Sequence, residues 1–335
     1  MTAKNIVQAA LSFETTSVTP YWLHQLAKQE GDVAAELDKH YGSRAWRDKF
    51  PEYLDGMHVG FINSEAVDGI ACDTFGVKLK AGSTSRVVDT LFPTPELRNY
   101  KWPEPEGMTD WLALEKHVKQ NSNTFQCWGL AMGLFERSWH MRGMENIMMD
   151  MVENEAFVHE LLDGILDVQL KFMDMMTDRI PLDAYAGGDD ICDQRGCMIG
   201  ADRWRHFFKP RLQKLTELCH SKGLKYVMHS CGNLMPVVED LIEIGVDVLE
   251  SVQPEAMDVY ELKKITHGRM ALIGGMGVQH MMCLGTPDEI REETKKLIKL
   301  LGKGGGYIIA PAKPLQSEPA ENVAAFIETI QNTRG

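Results

Sequence analysis

The sequence predicts an α/β protein folded as a single (β/α)8 barrel with an N-terminal helical extension, one domain over residues 1–335. Three observations lead there. Short apolar runs alternate with amphipathic stretches of helical period, most regularly after residue 180. The connections between them are short, which implies a parallel sheet. No low-complexity segment or linker rich in Pro, Gly or Ser divides the chain. At least five strands in this order favour a closed barrel over an open doubly wound sheet.

Each element follows from its residues. LDAYAGG (182–188) reads as a strand, and ADRWRHFFKPRLQKLTELCHSKG (201–223) as a helix closed by Gly223. LKYVMHS (224–230) is a strand, and MPVVEDLIEIG (235–245) a helix ending at Gly245. VDVLESV (246–252), MDVYELKKITHG (257–268) and MALIGGM (270–276) read as strand, helix and strand. The helix that starts at Thr286 carries signals at both ends. Thr286 is its N-cap, Pro287 stands at N1, Glu289 completes a capping box and Gly302 stops it. YIIAP (307–311) is the next strand. The run GKGGG (302–306) follows a helix and precedes a strand, so it reads as a helix stop and turn, not a phosphate loop.

Composition narrows the function classes. Hydrophobic residues make up 44% of the chain, enough for a large core. No apolar run reaches the length of a membrane-spanning helix, and MTAKNIVQAALSFETTSV lacks the layout of a secretory signal, so a cytoplasmic location is expected. Seven cysteines at irregular spacing are no disulfide framework and are expected as free thiols. A net charge of -13 repels nucleic acid and anionic membrane. The expected ligand is a small molecule. A homodimer stays open.

In a barrel, chemistry gathers at the C-terminal ends of the strands. Those ends fall at GGDD (187–190), HSC (229–231), ES (250–251), GGM (274–276) and APAK (310–313). His229 and Cys231 are two residues apart at a strand end, so both side chains share one face. Imidazole and thiolate together suit Zn²⁺, with Asp190, Glu250 and Cys192 as candidates for a third ligand. The other reading is a buried thiol beside a hydrogen-bonded histidine. Asp189 and Asp190 are adjacent and point different ways, so at most one faces the mouth; the alternatives are a helix N-cap or an ion pair with Arg195. LFERSWHMRG (134–143) brings Glu136, Trp139 and Arg142 together as pocket-lining candidates, against the reading of an amphipathic helix start. The Met-rich stretch behind it reads as core. Tyr185 is a second candidate wall for a ring, and Gln253 a further substrate contact.

These stretches also resemble a known family. GDDICDQRG, FFKPRLQKL, HSCGNLMPVVEDLIEIGVDVLESVQPEAMD, LIGGMGVQ, GTPDEIREE and GGGYIIAPAKPLQSEPAENV, with DTFGVKLK and WPEPEG nearer the N-terminus, look like the uroporphyrinogen decarboxylase superfamily over nearly the whole chain. The resemblance implies one (β/α)8 barrel and two main chemistries. One is metal-free decarboxylation of uroporphyrinogen. The other is zinc-dependent methyl transfer to or from a corrinoid protein. True decarboxylases carry a stretch similar to PVWFMRQAGR, whose arginines grip the substrate's carboxylates. Here it reads PYWLHQLAKQ, with Gln25 and Gln29 in their place, and Gln cannot supply bidentate cations. Asp73 stands where the decarboxylases' catalytic aspartate is expected.

The methyltransferase branch carries H-x-C on a strand, as His229 and Cys231 do. Its third ligand is a Cys in a stretch similar to SPGC, and Lys313 falls at that place in IIAPAKP. A protonated ammonium is no zinc ligand, so the resemblance implies completion by a carboxylate, with Glu250 placed ahead of Asp190. The expected activity is methyl transfer from a small methoxylated substrate, an aromatic ether among the candidates, to the cobalt of a partner corrinoid protein. Asp190, Lys313, His280 and Asp73 are the expected catalytic groups. The alternatives are a metal-independent decarboxylase built on Asp73, and a barrel that binds without catalysis.

Overall fold

The computed structural model describes residues 2–26, 31–59, 64–83 and 86–333. Among these residues the main sheet has seven parallel strands, each paired with the next in sequence. They are β1 (Leu54–Val59), β2 (Phe125–Leu130), β3 (Ala184–Gly188), β4 (Lys225–His229), β5 (Val248–Val252), β6 (Ala271–Met276) and β7 (Tyr307–Pro311). Extended chain at Pro20–Trp22 takes the eighth position. Tyr21 bridges Ile309 of β7 in parallel, and on its other side the Tyr21 ring packs on Tyr53, 4.8 Å away at the entrance to β1. The predicted barrel class therefore holds, with one of its staves reduced to a bridge.

Side chains alternate along these strands, as the pleat requires. Ala184, Ala186, Val227, Val248, Ala271, Ile273, Ile308 and Ala310 form the inner layer with Leu54, Phe125 and Cys127. The intervening Tyr185, Tyr226, Met228, Leu249 and Leu272 pack outward, against the helices. Helix α1 (Ala3–Leu11) plugs the lower end, where Val7 and Leu11 complete the inner layer. Its ends are pinned there: Lys4 N–H donates to Asn123 O before β2, and Gly306 N–H before β7 donates to Ala10 O.

Among the helices are α2 (Leu134–Arg142), α3 (Glu155–Arg179), α4 (Lys209–Ser221), α5 (Val238–Glu243), α6 (Val259–Thr266), α7 (Pro287–Leu301) and α8 (Ala320–Asn332), and further helices run over Asp32–His40, Trp111–Gln120 and Met144–Glu153. The single helix expected over 201–223 is two, Ala201–Phe207 and α4. Pro210 cannot donate and crowds the preceding turn, so it opens a new helix. A two-stranded hairpin, Cys192–Asp193 with Gly196–Cys197, follows β3, and a three-stranded antiparallel sheet lies over residues 70–89.

The capping box on α7 is formed: Thr286 Oγ1 accepts from Glu289 N–H, and the Glu289 carboxylate accepts from Thr286 N–H. Thr286→Ala is expected to cost about 1 kcal/mol, read as a lower denaturant midpoint at unchanged slope.

Candidate metal and substrate site

Period-two geometry carries the inner layer of β4 and β5 straight into the mouth. Val227 points inward, hence so does His229; Val248 points inward, hence so does Glu250. The register pairs Glu250 with His229 directly. Their side chains meet, His229 Nδ1 against Glu250 Oε2. Glu250 is almost fully buried. Burial works against its charge, but His229, then His24 and His58, hold its carboxyl below the usual range. For His229 burial again opposes the charge, yet Glu250 and Cys231 raise its pKa well above the ordinary value.

The other nitrogen of His229 faces a different set. Nε2 lies 3.7 Å from Cys231 Sγ and 3.7 Å from Asp190 Oδ1. One ligand atom from each of Asp190, His229 and Cys231 falls within 4.8 Å of the other two. Cys231 N–H donates to Asp190 Oδ1 at 2.8 Å, which fixes the carboxylate against the loop. Gln253 Oε1 accepts from Gly232 N–H at 3.2 Å and braces the same loop.

These residues fit a divalent metal ion. An imidazole nitrogen, a thiol sulfur and a carboxylate oxygen converge, and a carboxylate behind the imidazole fixes the tautomer that would offer Nε2. Asp190 is thus the third member of the group. Glu250, expected as the third ligand, sits on the far nitrogen of His229 and orients the ring instead.

The adjacent acids divide their work. Asp189 is half-buried and accepts from the Phe135 and Glu136 N–H groups at 2.9 Å each, capping α2. Burial and the nearby Glu136 push its carboxyl up to about 8. Arg195, a proposed partner for these acids, pairs with Asp193 instead. Glu136 stands beside Asp190 and is raised by burial, then by Asp190. The two glycines before this pair admit side chains. A Cβ on Gly187 would strike the Tyr226 hydroxyl, and one on Gly188 would lie 3.0 Å from His58 Nε2.

Beside the metal-fitting group lies a cavity of about 280 Å³, lined by Trp22, His24, Gln25, Met57, His58, His229, Glu250 and Lys313 among others. Lys313 is exposed at its rim. The His58 ring stands edge-to-face to His229, centroids 5.9 Å apart. Burial, then His229, push its pKa down to about 4. The His24 ring packs on Trp22, tilted by 42° with centroids 3.9 Å apart, and its Nε2 lies 3.2 Å from Pro311 O.

His24 and His58 were missed in the sequence. His58 is the penultimate residue of β1, whose alternation is broken by Gly56 and Met57, both at positive φ; with that strand recognised, the strand-end rule would have found it. His24 precedes Gln25 in the stretch already singled out. Gln29 lies outside the described residues.

Several expected site residues lie elsewhere. Asp73 is buried in an ion pair with Arg137 and also accepts from Phe75 and Val77 N–H at 2.9 Å each. Its oxygens are thus taken up in fixing a loop, and it does not line the cavity beside His229. Arg142 is buried against Asp150 at 2.7 Å and donates to the Phe92 and Pro93 carbonyls. Trp139 packs on His140 and lines a separate surface cavity with Val88 and Thr90. Tyr185 points out of the barrel and stacks with Tyr226, because it alternates with the inward Ala184 and Ala186. His280 is exposed at the start of the short helix Met281–Leu284, and no hydrogen bond among the described residues ties it to the group. Cys192 is buried beside Cys197 and is not in the group.

The chain belongs to the uroporphyrinogen decarboxylase (URO-D) family, whose profile matches residues 72–333. The methylated-thiol–coenzyme M methyltransferase of Methanosarcina mazei is 20% identical over 322 residues, 92% of this chain and 78% of that one. A solved methyltransferase from Methanosarcina mazei superposes with a TM-score of 0.74 at 19% identity and covers 99% of both chains, which shows the same fold. No helix among the described residues is long and apolar enough to cross a membrane.

Asp73→Ala would leave Arg137 buried without its counter-charge. Loss of about 3–5 kcal/mol of stability is expected, measured by denaturant unfolding. A stably folded but inactive variant would return Asp73 to the list of catalytic residues.

Proposed function

We propose that this chain is a zinc-dependent methyltransferase that takes a methyl group from a small methoxylated substrate, with the corrinoid of a partner protein as acceptor. The observation that carries the reading is the Asp190–His229–Cys231 group, with Glu250 behind the imidazole, at the mouth of a URO-D family barrel. The Methanosarcina relatives are methyltransferases by name, which supports the class of reaction.

Asp190, His229 and Cys231 would hold the zinc, one ligand short of a closed structural site and so with room for substrate. Bound there, the ion would supply Lewis acidity toward an ether oxygen. The chain's own residues do the rest. Glu250 keeps His229 Nδ1 engaged and Nε2 turned to the metal position. The cavity beside His229 takes the body of the substrate, with Trp22, His24 and Met57 as walls. Lys313 at its rim is the proton donor for the demethylated oxygen. The mixed donor set, with one thiolate in place of several, is harder than the thiolate-rich sites that suit sulfur substrates, and so favours an oxygen ligand.

Zinc analysis of the purified protein tests this. About one ion per chain is expected, lost together with demethylating activity in His229→Ala and in Cys231→Ala. A metal-replete, active His229→Ala protein would sink the assignment. Glu250→Gln is expected to keep the fold and to weaken zinc affinity by roughly 10–100-fold, measured by competition with a chromogenic chelator. Unchanged affinity would reduce Glu250 to a packing role.

A further inference from the structure

The hairpin between β3 and the helix Ala201–Phe207 holds two thiols that the site does not use. Cys192 and Cys197 face each other across its strands. Met198 N–H donates to Ile191 O at 3.1 Å, so a ladder bond flanks the pair and the two cysteines form a non-hydrogen-bonded pair. Side chains come closest at such positions, where Cα atoms stand about 4.5 Å apart, inside the span that a disulfide bridges. The sulfurs are already 3.3 Å apart. The turn between them is fixed, since Asp193 Oδ1 accepts from Arg195 N–H at 2.7 Å and Gly196 N–H at 3.1 Å.

We propose that Cys192 and Cys197 are a dithiol site that closes to a disulfide by exchange with a small-molecule disulfide such as oxidised glutathione. Cys197, the more exposed of the two, attacks one glutathione sulfur and releases one glutathione thiol. Cys192 then attacks the Cys197 sulfur of the mixed disulfide and releases the second. The protein loses two protons and two electrons, and one glutathione disulfide becomes two thiols.

The hairpin is clasped to the loop that carries Cys231. Asn233 N–H donates to Asp193 O at 2.8 Å. Gly232, at φ 90°, lies so close that a Cβ on it would stand 2.4 Å from Cys192 O. A bond across the hairpin therefore forms against the loop that carries Cys231. This holds whatever reaction the mouth performs.

The test is to incubate the purified full chain with oxidised glutathione, unfold it in guanidinium chloride so that buried thiols are reached, block remaining thiols with iodoacetamide and measure mass before and after trypsin. Two of the seven thiols are expected to resist alkylation, with the mass lower by two hydrogens and no glutathione retained. Trypsin cuts after Arg195, so the bond is expected to hold the two hairpin peptides together until dithiothreitol is added. Cys192→Ser is expected to keep one glutathione on Cys197. A wild-type protein that keeps all seven thiols, retains a glutathione adduct, or links either cysteine to Cys231 overturns the proposal.

Discussion

A buried carboxylate next to an imidazole governs the mouth of this barrel. Glu250 is 1% exposed, and a carboxylate at that depth is costly unless a counter-charge and hydrogen bonds meet it. His229 meets it from the neighbouring strand at the same register level. The pairing then fixes the ring. With Nδ1 committed to Glu250, Nε2 is turned to Asp190 and Cys231, and the chemistry of the mouth follows from which nitrogen is free.

The acidic groups around this point are sorted by position. Asp189 is turned to the N-terminus of α2, where backbone N–H groups and the helix dipole receive it. Asp190, the next residue, turns the opposite way and joins His229 and Cys231. Glu136 is brought beside Asp190 by the helix that Asp189 caps. Acidic groups converging on a thiol and an imidazole attract a cation, and Lys313 is exposed at the rim of the cavity that His229 and Glu250 line. A second cluster, Glu155, His159 and His206, lies on the surface of the helices. Arg211 approaches His159 Nδ1 at 3.1 Å, and its guanidinium opposes a further cation there.

Much of the barrel could be read in the sequence because its C-terminal half obeys local rules. Glycines and a capping box punctuate helices of plain period, and the strands from Ala184 to Pro311 fall within the expected runs. The N-terminal half does not announce itself. β1 is interrupted at Gly56 and Met57, and the eighth stave is a bridge at Tyr21, so neither presents a run of alternating residues. The site was legible where one strand carried it: His229 and Cys231 are neighbours in sequence and in space. It was not legible where strands must come together. Tyr185 and Glu250 could be ranked by type but not by the direction of the side chain or the nitrogen it meets. Asp73, Trp139 and Arg142 carried suitable chemistry, and long-range partners such as Arg137 and Asp150 determined their actual use.

The most direct measurement is X-ray absorption at the zinc edge on the zinc-loaded protein, with Cys231→Ala beside it. One sulfur at about 2.3 Å with nitrogen and oxygen neighbours near 2.0–2.2 Å is expected for the wild type. The sulfur shell should vanish in the variant. A wild-type spectrum without sulfur, with histidine and carboxylate neighbours alone, would place the zinc on the surface cluster of Glu155, His159 and His206 and contradict a metal in the mouth.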